Sequence, residues 1–168
     1  MLTPDPRVEW NSFMRIAAAL GALLIACSAA IPHSASAAAP SVEELFRQFD
    51  LFGNWAIDCG EPAASANPHV AITMPGDGQV QEEHDLGAEF ALNRYSIEKA
   101  ARLSPERLAI EVLFQPEGAE PQRQRLVLLV RKGTRRTMFN QPDGGEVRVK
   151  DGIALARHVK TPVLKKCE

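Results

Sequence analysis

The sequence has few aromatic residues and almost no excess of charge. Phe, Trp and Tyr make up 6% of the 168 residues, and 19 Lys and Arg side chains stand against 21 Asp and Glu, a formal net charge of −2. This balance excludes a strongly basic nucleic-acid-binding protein and a wholly acidic disordered chain. No apolar run reaches the roughly 18–20 residues with clean flanks that a membrane-spanning helix needs. The length allows one domain of ordinary size.

Catalytic and metal-binding motifs are also missing. The chain contains no Gly-x-Ser-x-Gly, no His-Glu-x-x-His, no glycine-rich phosphate loop and no Cys-x-x-Cys. His69, His84 and His158 lack the spacing of metal ligands, so we expect them on the surface or at a rim. The acidic run at residues 81–85 lacks the alternating oxygen ligands and the glycine of a calcium loop, and it is interpreted as a solvated hairpin edge. The sequence therefore predicts no catalytic residue, no metal site, no cofactor and no enzymatic activity.

The first 39 residues have the layout of a secretory signal peptide. Arg15 precedes an apolar stretch at residues 16–31, Pro32 ends it, and small residues at positions 34–39 supply an Ala-x-Ala cleavage site. Residues 40–168 are then the mature chain, expected to form a single domain. We expect export from the cytoplasm.

Two routes of N-terminal processing are open. Cleavage after Ala37 or Ala39 would release a soluble chain. Residues 24–27 also resemble the bacterial lipobox, in which the cysteine, here Cys27, receives a lipid and becomes the new N-terminus. Met14 would begin a more ordinary leader than Met1 does. Both routes predict a periplasmic or secreted protein, lipid-anchored in the second case.

Cys59 and Cys167 are the two cysteines that remain after the leader. An even pair in an exported protein predicts a disulfide, here closing a loop of about a hundred residues and joining the two ends of the domain. In the chain-entropy model such a bond contributes up to ~4.7 kcal/mol. A catalytic thiol is the alternative, but Cys59 beside Asp58 lacks the electropositive surroundings that lower a thiol pKa.

The mature domain is predicted to be all-β after one short helix. Ser41 followed by Glu44 has the spacing of a capping box and predicts a helix over residues 42–49. Residues 86–101 would suit either a strand or a helix. Alternating or continuous apolar runs predict strands at residues 55–59, 70–74, 79–83, 95–99, 107–114, 126–130, 137–140, 146–150 and 153–157, the run at 126–130 being covered on both faces.

Glycine-containing turns between these runs predict how the strands connect. Asp77-Gly78, Lys132-Gly133, Asp143-Gly144-Gly145 and Asp151-Gly152 supply the positive φ angles of tight hairpins. Short strands joined by hairpins indicate an antiparallel meander, either a small barrel of about eight strands or a sandwich.

Charge is distributed unevenly along the mature chain. Residues 40–120 hold 15 acidic and 5 basic side chains, whereas residues 121–168 hold 4 acidic and 12 basic ones. Either the fold presents two oppositely charged surfaces, or the two halves neutralise each other across the closing seam of a barrel.

Four cations near one hairpin form the best candidate for recognition: Arg131, Lys132, Arg135 and Arg136. Outside the cytoplasm their partners would be an envelope protein, anionic lipid head groups or anionic polymers. The alternative is the ordinary solvation of an exposed turn. Nucleic acid is not expected, because no aromatic residues interleave with this cluster.

Gly53-Asn54-Trp55 opens the first strand after the short helix, and this resembles the Gly-x-Trp element of lipocalin-like barrels. The resemblance implies that Trp55 closes one end of a barrel against an Arg of the last strand, for which Arg157 is the candidate. Phe52-Gly53-x-Trp55-x-x-x-Cys59 is also similar to the opening strand of the secreted invasion-associated locus B family. Small periplasmic protease inhibitors with eight-stranded barrels share such an opening and one disulfide.

These observations favour an exported bacterial cell-envelope protein that acts as a non-catalytic interaction module, of the inhibitor or adaptor type. The alternative is a lipocalin-like carrier of a small apolar ligand or lipid. A carrier would need an apolar cavity of ~300 Å³ or more, lined by residues such as Ile110, Val112, Leu128 and Val130.

Overall fold

The computed structural model describes residues 39–168. The predicted signal peptide apart from Ala39, the alternative start Met14 and the lipidation candidate Cys27 lie outside the described residues. In the described part, no helix has the length and apolar character needed to cross a membrane. Its elements are α1 (Val42–Gln48), β1 (Gly53–Ala56), β2 (His69–Thr73), β3 (Gln81–Asp85), β4 (Asn93–Ser104), β5 (Arg107–Gln115), β6 (Gln122–Arg131), β7 (Thr134–Pro142), β8 (Val149–Lys150), β9 (Ile153–Ala154), β10 (Val159–Lys160) and β11 (Leu164–Cys167).

Eight strands close into an antiparallel barrel. Strands β1 to β7 pair in chain order, and β11 lies between β7 and β1. Leu164 of β11 is opposite Arg135 of β7, and Lys166 is opposite Trp55 of β1, so the sheet has no free edge at this seam. The predicted all-β class and the small barrel are confirmed, and the sandwich alternative is not formed.

The barrel closes through a strand that the sequence patterns did not indicate. Strand β11 reads Leu-Lys-Lys-Cys, which has neither apolar alternation nor a β-branched residue. The predicted strand at 153–157 is shortened to Ile153–Ala154 and does not close the barrel. It belongs instead to a flap formed by β8, β9 and β10, which joins the barrel where Asn140 pairs with Val149.

The helix and the neighbouring hydrophobic side chains close one end of the barrel. The Ser41 hydroxyl oxygen accepts a hydrogen bond from the backbone N–H of Glu44 at 3.1 Å, so the predicted N-cap is confirmed. Leu45 and Phe46 are fully buried beneath the barrel. The ambiguous segment at 86–101 contributes the start of a strand, β4, and no helix. The hydrophobic core that continues from this end into the barrel contains Leu45, Phe46, Phe49, Leu51, Trp55, Val70, Ile72, Val80, Ile97, Leu108, Ile110, Val112, Leu128 and Leu164.

The outer face of strand β6 is less buried than its continuous apolar run at residues 126–130 predicts. Leu128 points into the core and is fully buried, whereas Val127 and Leu129 on the outer face are only half-buried. A closed barrel of this size gives each strand one inner and one outer face, and no second layer covers these outer residues completely.

The predicted disulfide is present. Cys59 follows β1 and Cys167 ends β11, their Cα atoms lie 5.6 Å apart, and 108 positions separate them along the chain. The bond therefore fastens the closing strand to the segment after the first strand.

Opposite charges from the two halves of the mature chain meet in this fold. Of the eight ion pairs among the described residues, four join the acidic half to the basic half. These four pairs neutralise charge between the two halves, but of them only Asp50–Lys166 involves the closing strand β11; the others are Glu82–Arg135, Glu98–Arg123 and Glu106–Arg131.

Candidate ligand-binding cavity

Trp55 forms the base of the barrel interior. Its side chain is buried, and its indole Nε1 donates a hydrogen bond to the backbone carbonyl of Leu51 at 2.8 Å. Gly53, two residues earlier, has a φ of +113°, a backbone conformation that favours glycine and lets the chain turn from the helix into β1.

The cation beside Trp55 is not the one expected. The guanidinium carbon of Arg135 lies 6.0 Å from the Trp55 ring centroid, and the Lys166 ammonium lies 5.8 Å from it. Arg157, the residue proposed for this role, is exposed in the turn between β9 and β10. Arg157 does not reach Trp55 because residues 153–157 lie outside the barrel wall. The closing strand is β11, and it carries Lys166.

Above Trp55 lies a buried ion pair. Arg135 donates two hydrogen bonds to the Glu82 carboxylate, at 3.1 Å to Oε2 and 2.7 Å to Oε1. Nε2 of His84 lies 2.5 Å from Oε1 of the same carboxylate. Burial would raise the pKa of Glu82, but the charge of Arg135 and the hydrogen bond with His84 outweigh it and hold this pKa well below its ordinary value.

The acidic run at residues 81–85 is therefore not a solvated hairpin edge. It forms β3, an internal strand of the barrel between β2 and β4. Glu82 and His84 alternate onto the inner face, whereas Glu83 points outward and pairs with Arg94 at 2.8 Å. Among the other histidines, His69 Nε2 lies 3.0 Å from the backbone oxygen of Glu61, and His158 is exposed. No group of three or more His, Cys, Asp or Glu side chains in the described part is arranged to hold a metal ion.

Aromatic rings line the wall formed by β3, β4 and β5. Tyr95 stacks on Phe114 with ring centroids 4.8 Å apart and an interplanar angle of 22°, and the His84 ring lies 4.8 Å from Tyr95. Burial and the nearby charge of Glu82 raise the pKa of Tyr95 to about 12, although Arg148 acts in the opposite direction. The Tyr95 hydroxyl therefore keeps its proton at neutral pH.

A cavity of about 420 Å³ occupies the barrel above the ion pair. Ile110 and Val112 line it, as a carrier would require, but Leu128 is fully buried in the packed base and Val130 packs against that base. Its lining is mixed, apolar on the side of β5 and polar on the side of β6 and β7. The polar lining side chains are Glu82, His84, Asn93, Tyr95, Gln124, Arg135, Arg136, Thr137, Asn140, Arg148 and Thr161.

Three amide side chains form a row along the polar wall. Arg148 donates to the Gln122 side-chain oxygen at 3.1 Å, Gln124 donates to the same oxygen at 3.4 Å, and Asn140 donates to Gln124 at 2.9 Å. The other end of the row is unsatisfied, because Oδ1 of Asn140 is buried and has no hydrogen-bond partner among the described residues. Buried acceptors of this kind are uncommon in folded proteins.

The flap lies against the cavity mouth and is held by Arg136. Its guanidinium donates to the backbone oxygen of Gly152 at 2.5 Å and to the Thr161 hydroxyl at 3.0 Å. Gly152 leaves room for this contact, since a Cβ atom there would lie 2.8 Å from the guanidinium. Arg148, Val149, Thr161 and Pro162 line both the barrel cavity and a second, open cavity beneath the flap.

The four cations predicted to form one basic tip do not share a surface. Arg131 and Lys132 are exposed at the β6–β7 hairpin, and Arg131 pairs with Glu106 at 2.6 Å. Arg135 is buried inside the barrel, and Arg136 reaches the flap. Alternation along β7 explains the separation, because neighbouring side chains of a strand point to opposite faces.

The fold and cavity define a small closed β-barrel with a polar, partly aromatic interior. No protein-family model, no curated protein and no solved structure matches the chain. The resemblance to lipocalin-like barrels and to the other two groups therefore stays a prediction from the first strand.

Proposed function

We propose that this chain is a non-catalytic binding protein that holds a small ligand inside its barrel. The observation that carries the proposal is the cavity of about 420 Å³ above the Glu82–Arg135 pair. Ligand sites in proteins commonly have volumes of ~300–1,000 Å³ and combine apolar walls with a few fixed polar groups. The carrier alternative is thus favoured over the interaction module, with a ligand more polar than the sequence suggested.

The chemistry of the cavity favours binding over catalysis. The carboxylate of Glu82 is occupied by Arg135 and His84, and its lowered pKa keeps it ionised at neutral pH. Tyr95, with its raised pKa, is a hydrogen-bond donor and not a base. General acid–base catalysis needs groups whose pKa lies near the working pH. Glu82 and Tyr95 are therefore better suited to hold a ligand, as a fixed hydrogen-bond acceptor and a fixed donor, than to transfer protons.

The disulfide supports a location outside the cytoplasm. Cystines persist in the periplasm and outside the cell, where the surroundings are oxidising. Together with the signal peptide expected before residue 40, the Cys59–Cys167 bond favours an exported bacterial protein of the cell envelope, periplasmic or secreted. Attachment through a lipid on Cys27 is the variant of this proposal.

A fluorescent apolar probe tests whether the cavity binds ligands. N-phenylnaphthylamine fluoresces when it leaves water, and its titration reports an affinity. We expect the wild type to bind it and Leu126→Trp to weaken binding about tenfold, since Leu126 lines the cavity and the larger ring fills it.

Leu129→Trp is the matched control on the same strand, because Leu129 lies on the outer face, half-buried. It should leave the affinity unchanged. Equal affinities of the wild type and Leu126→Trp, or an absence of binding to the wild type, would contradict the proposal.

One observation favours a docking role as a second candidate. Leu155, Val159 and Val163, on and after the flap, are 37%, 51% and 48% exposed. Exposed apolar side chains on one element are a feature of protein contact sites. An envelope protein could dock there, whereas the predicted basic tip is weakened as a site for anionic lipid or polymer by the inward position of Arg135.

A further inference from the structure

We propose that the ligand of the barrel cavity is a small organic anion with a flat ring, whose negative group binds at Arg148. This inference rests on the proposed function and specifies the chemical class of the ligand at the same site. It is carried by the charges at the cavity and by the aromatic wall.

The charges at the cavity do not balance. Its lining includes the guanidinium groups of Arg135, Arg136 and Arg148 but only one carboxylate, that of Glu82. Glu82 is bound by Arg135 through two hydrogen bonds and is therefore already neutralised. The two remaining guanidinium groups, Arg136 and Arg148, leave a positive potential at the cavity that attracts anions.

Arg148 is the cation best placed to meet an anion. Its hydrogen bond in this structure goes to the neutral Gln122 side chain, and it has no carboxylate partner among the described residues. Arg136, in contrast, is engaged by Gly152 and Thr161 in holding the flap. Arg148 also lines both cavities, so an anion can reach it from the mouth. Guanidinium groups bind carboxylate, phosphate and sulfonate oxygens through paired N–H donors.

The opposite wall suits a flat ring. Tyr95 and Phe114 are stacked on adjacent strands, and both line the cavity with His84 next to them. Aromatic groups gain affinity beyond simple burial when they stack on such surfaces.

A pair of probes that differ by one anionic group tests this inference. Anilinonaphthalene sulfonate has the ring system and the N–H of N-phenylnaphthylamine and adds a sulfonate. We expect the wild type to bind the sulfonate about tenfold more tightly than the neutral probe, and Arg148→Gln to remove this preference, so that the two probes bind the variant with about equal affinity. Arg148→Lys should restore most of the preference for the sulfonate, because lysine carries the positive charge that glutamine lacks.

The controls separate this inference from the proposed function. Lys132→Gln removes an exposed cation at the β6–β7 hairpin, away from the cavity lining, and should change neither affinity. If both probes bind equally well, or if Lys132→Gln acts like Arg148→Gln, the anion inference fails while the binding function stands, provided Leu126→Trp still weakens both. If Leu126→Trp weakens neither probe, or if the wild type does not bind the neutral probe, the proposed function fails and the inference with it.

Discussion

At the scale of single residues, Glu82 determines how charge is arranged inside the barrel. Its carboxylate and the Arg135 guanidinium are 6% and 5% exposed, so both charges have left water. Such a transfer is tolerated only when the partners satisfy each other, as the two hydrogen bonds from Arg135 and the contact with His84 do here. Either charge without the other would destabilise the fold strongly.

The substitution Glu82→Gln tests this coupling. It leaves Arg135 buried without a counter-charge, and we expect the free energy of unfolding at pH 7 to fall by about 3–5 kcal/mol. Urea denaturation measures this free energy of unfolding. The matched control Glu83→Gln, on the same strand, breaks the exposed pair with Arg94 and should cost no more than about 1 kcal/mol.

The difference in stability between the wild type and Glu82→Gln should also depend on pH, and its sign follows from the pKa of Glu82. The pKa of Glu82 is lowered in the folded state from an ordinary value of 4.5, so its contribution is complete above about pH 4.5 and is lost as the pH falls toward the folded pKa. The difference in stability between wild type and Glu82→Gln should therefore narrow below that pH. A constant difference down to pH 2.5 would show that the ionised carboxylate does not stabilise the fold.

At the scale of elements, the flap has the shortest strands of the described structure. Its three strands have two residues each, and one ladder pair joins it to β7, together with backbone hydrogen bonds from Arg148 to Asn140 and from Gly152 to Met138. Arg136 supplements these few ladder contacts by bridging β7 to Gly152 and Thr161. Elements with so little paired backbone open more easily than the rest of a fold.

Arg136→Met should loosen the flap while the barrel stays intact. Methionine keeps an apolar stem but donates no hydrogen bond, so we expect exchange of the Gly152 and Thr161 amide hydrogens to speed up about tenfold or more. Hydrogen exchange followed by NMR measures this. Arg125→Met, an exposed arginine of β6, is the control and should leave the flap unchanged. Equal acceleration in β4 and β5 would mean global destabilisation and not release of the flap.

At the scale of the whole molecule, the disulfide and β11 together close the barrel. The four-residue β11 alone joins β7 to β1, and Cys167 at its end is fixed to Cys59. A short closing strand rich in lysine has little intrinsic preference for its place. The disulfide compensates for this weak preference, because in the unfolded state it limits how far the C-terminal end of the chain can separate from Cys59.

The double variant Cys59→Ser, Cys167→Ser should lower the free energy of unfolding by about 2–4 kcal/mol while the barrel still forms. Urea denaturation measures the change, and the wild type treated with a reductant is the parallel sample. Intact mass of the native protein with and without reductant reports the bond together with the N-terminus and any lipid. Free thiols in the native protein would contradict both the bond and the proposed export.

Local patterns were enough to predict much of the fold but little of the cavity. The helix after Ser41, the strand at Arg107–Gln115 and the Lys132-Gly133 hairpin depend on neighbours a few residues away, and all three are observed. The inward position of Glu82 was missed because polar residues occupy both faces of β3 and mask the alternation that would have shown it. Strand β11 was not predicted because its single inward-facing leucine, Leu164, cannot by itself form an alternating apolar pattern.

The sequence by itself determined the class of the fold, the presence of most elements and the cysteine pair, since composition, periodicity and turn chemistry act over short distances, whereas the ends of β4, β6 and β7 extend beyond their apolar runs. Only the tertiary structure decided that Arg135 and not Arg157 lies beside Trp55, and that Arg135 meets Glu82 across 53 positions. It also decided which side chains face the cavity. Closure of the barrel brings these distant strands together, and the cost of burying unpaired charge then selects the partners.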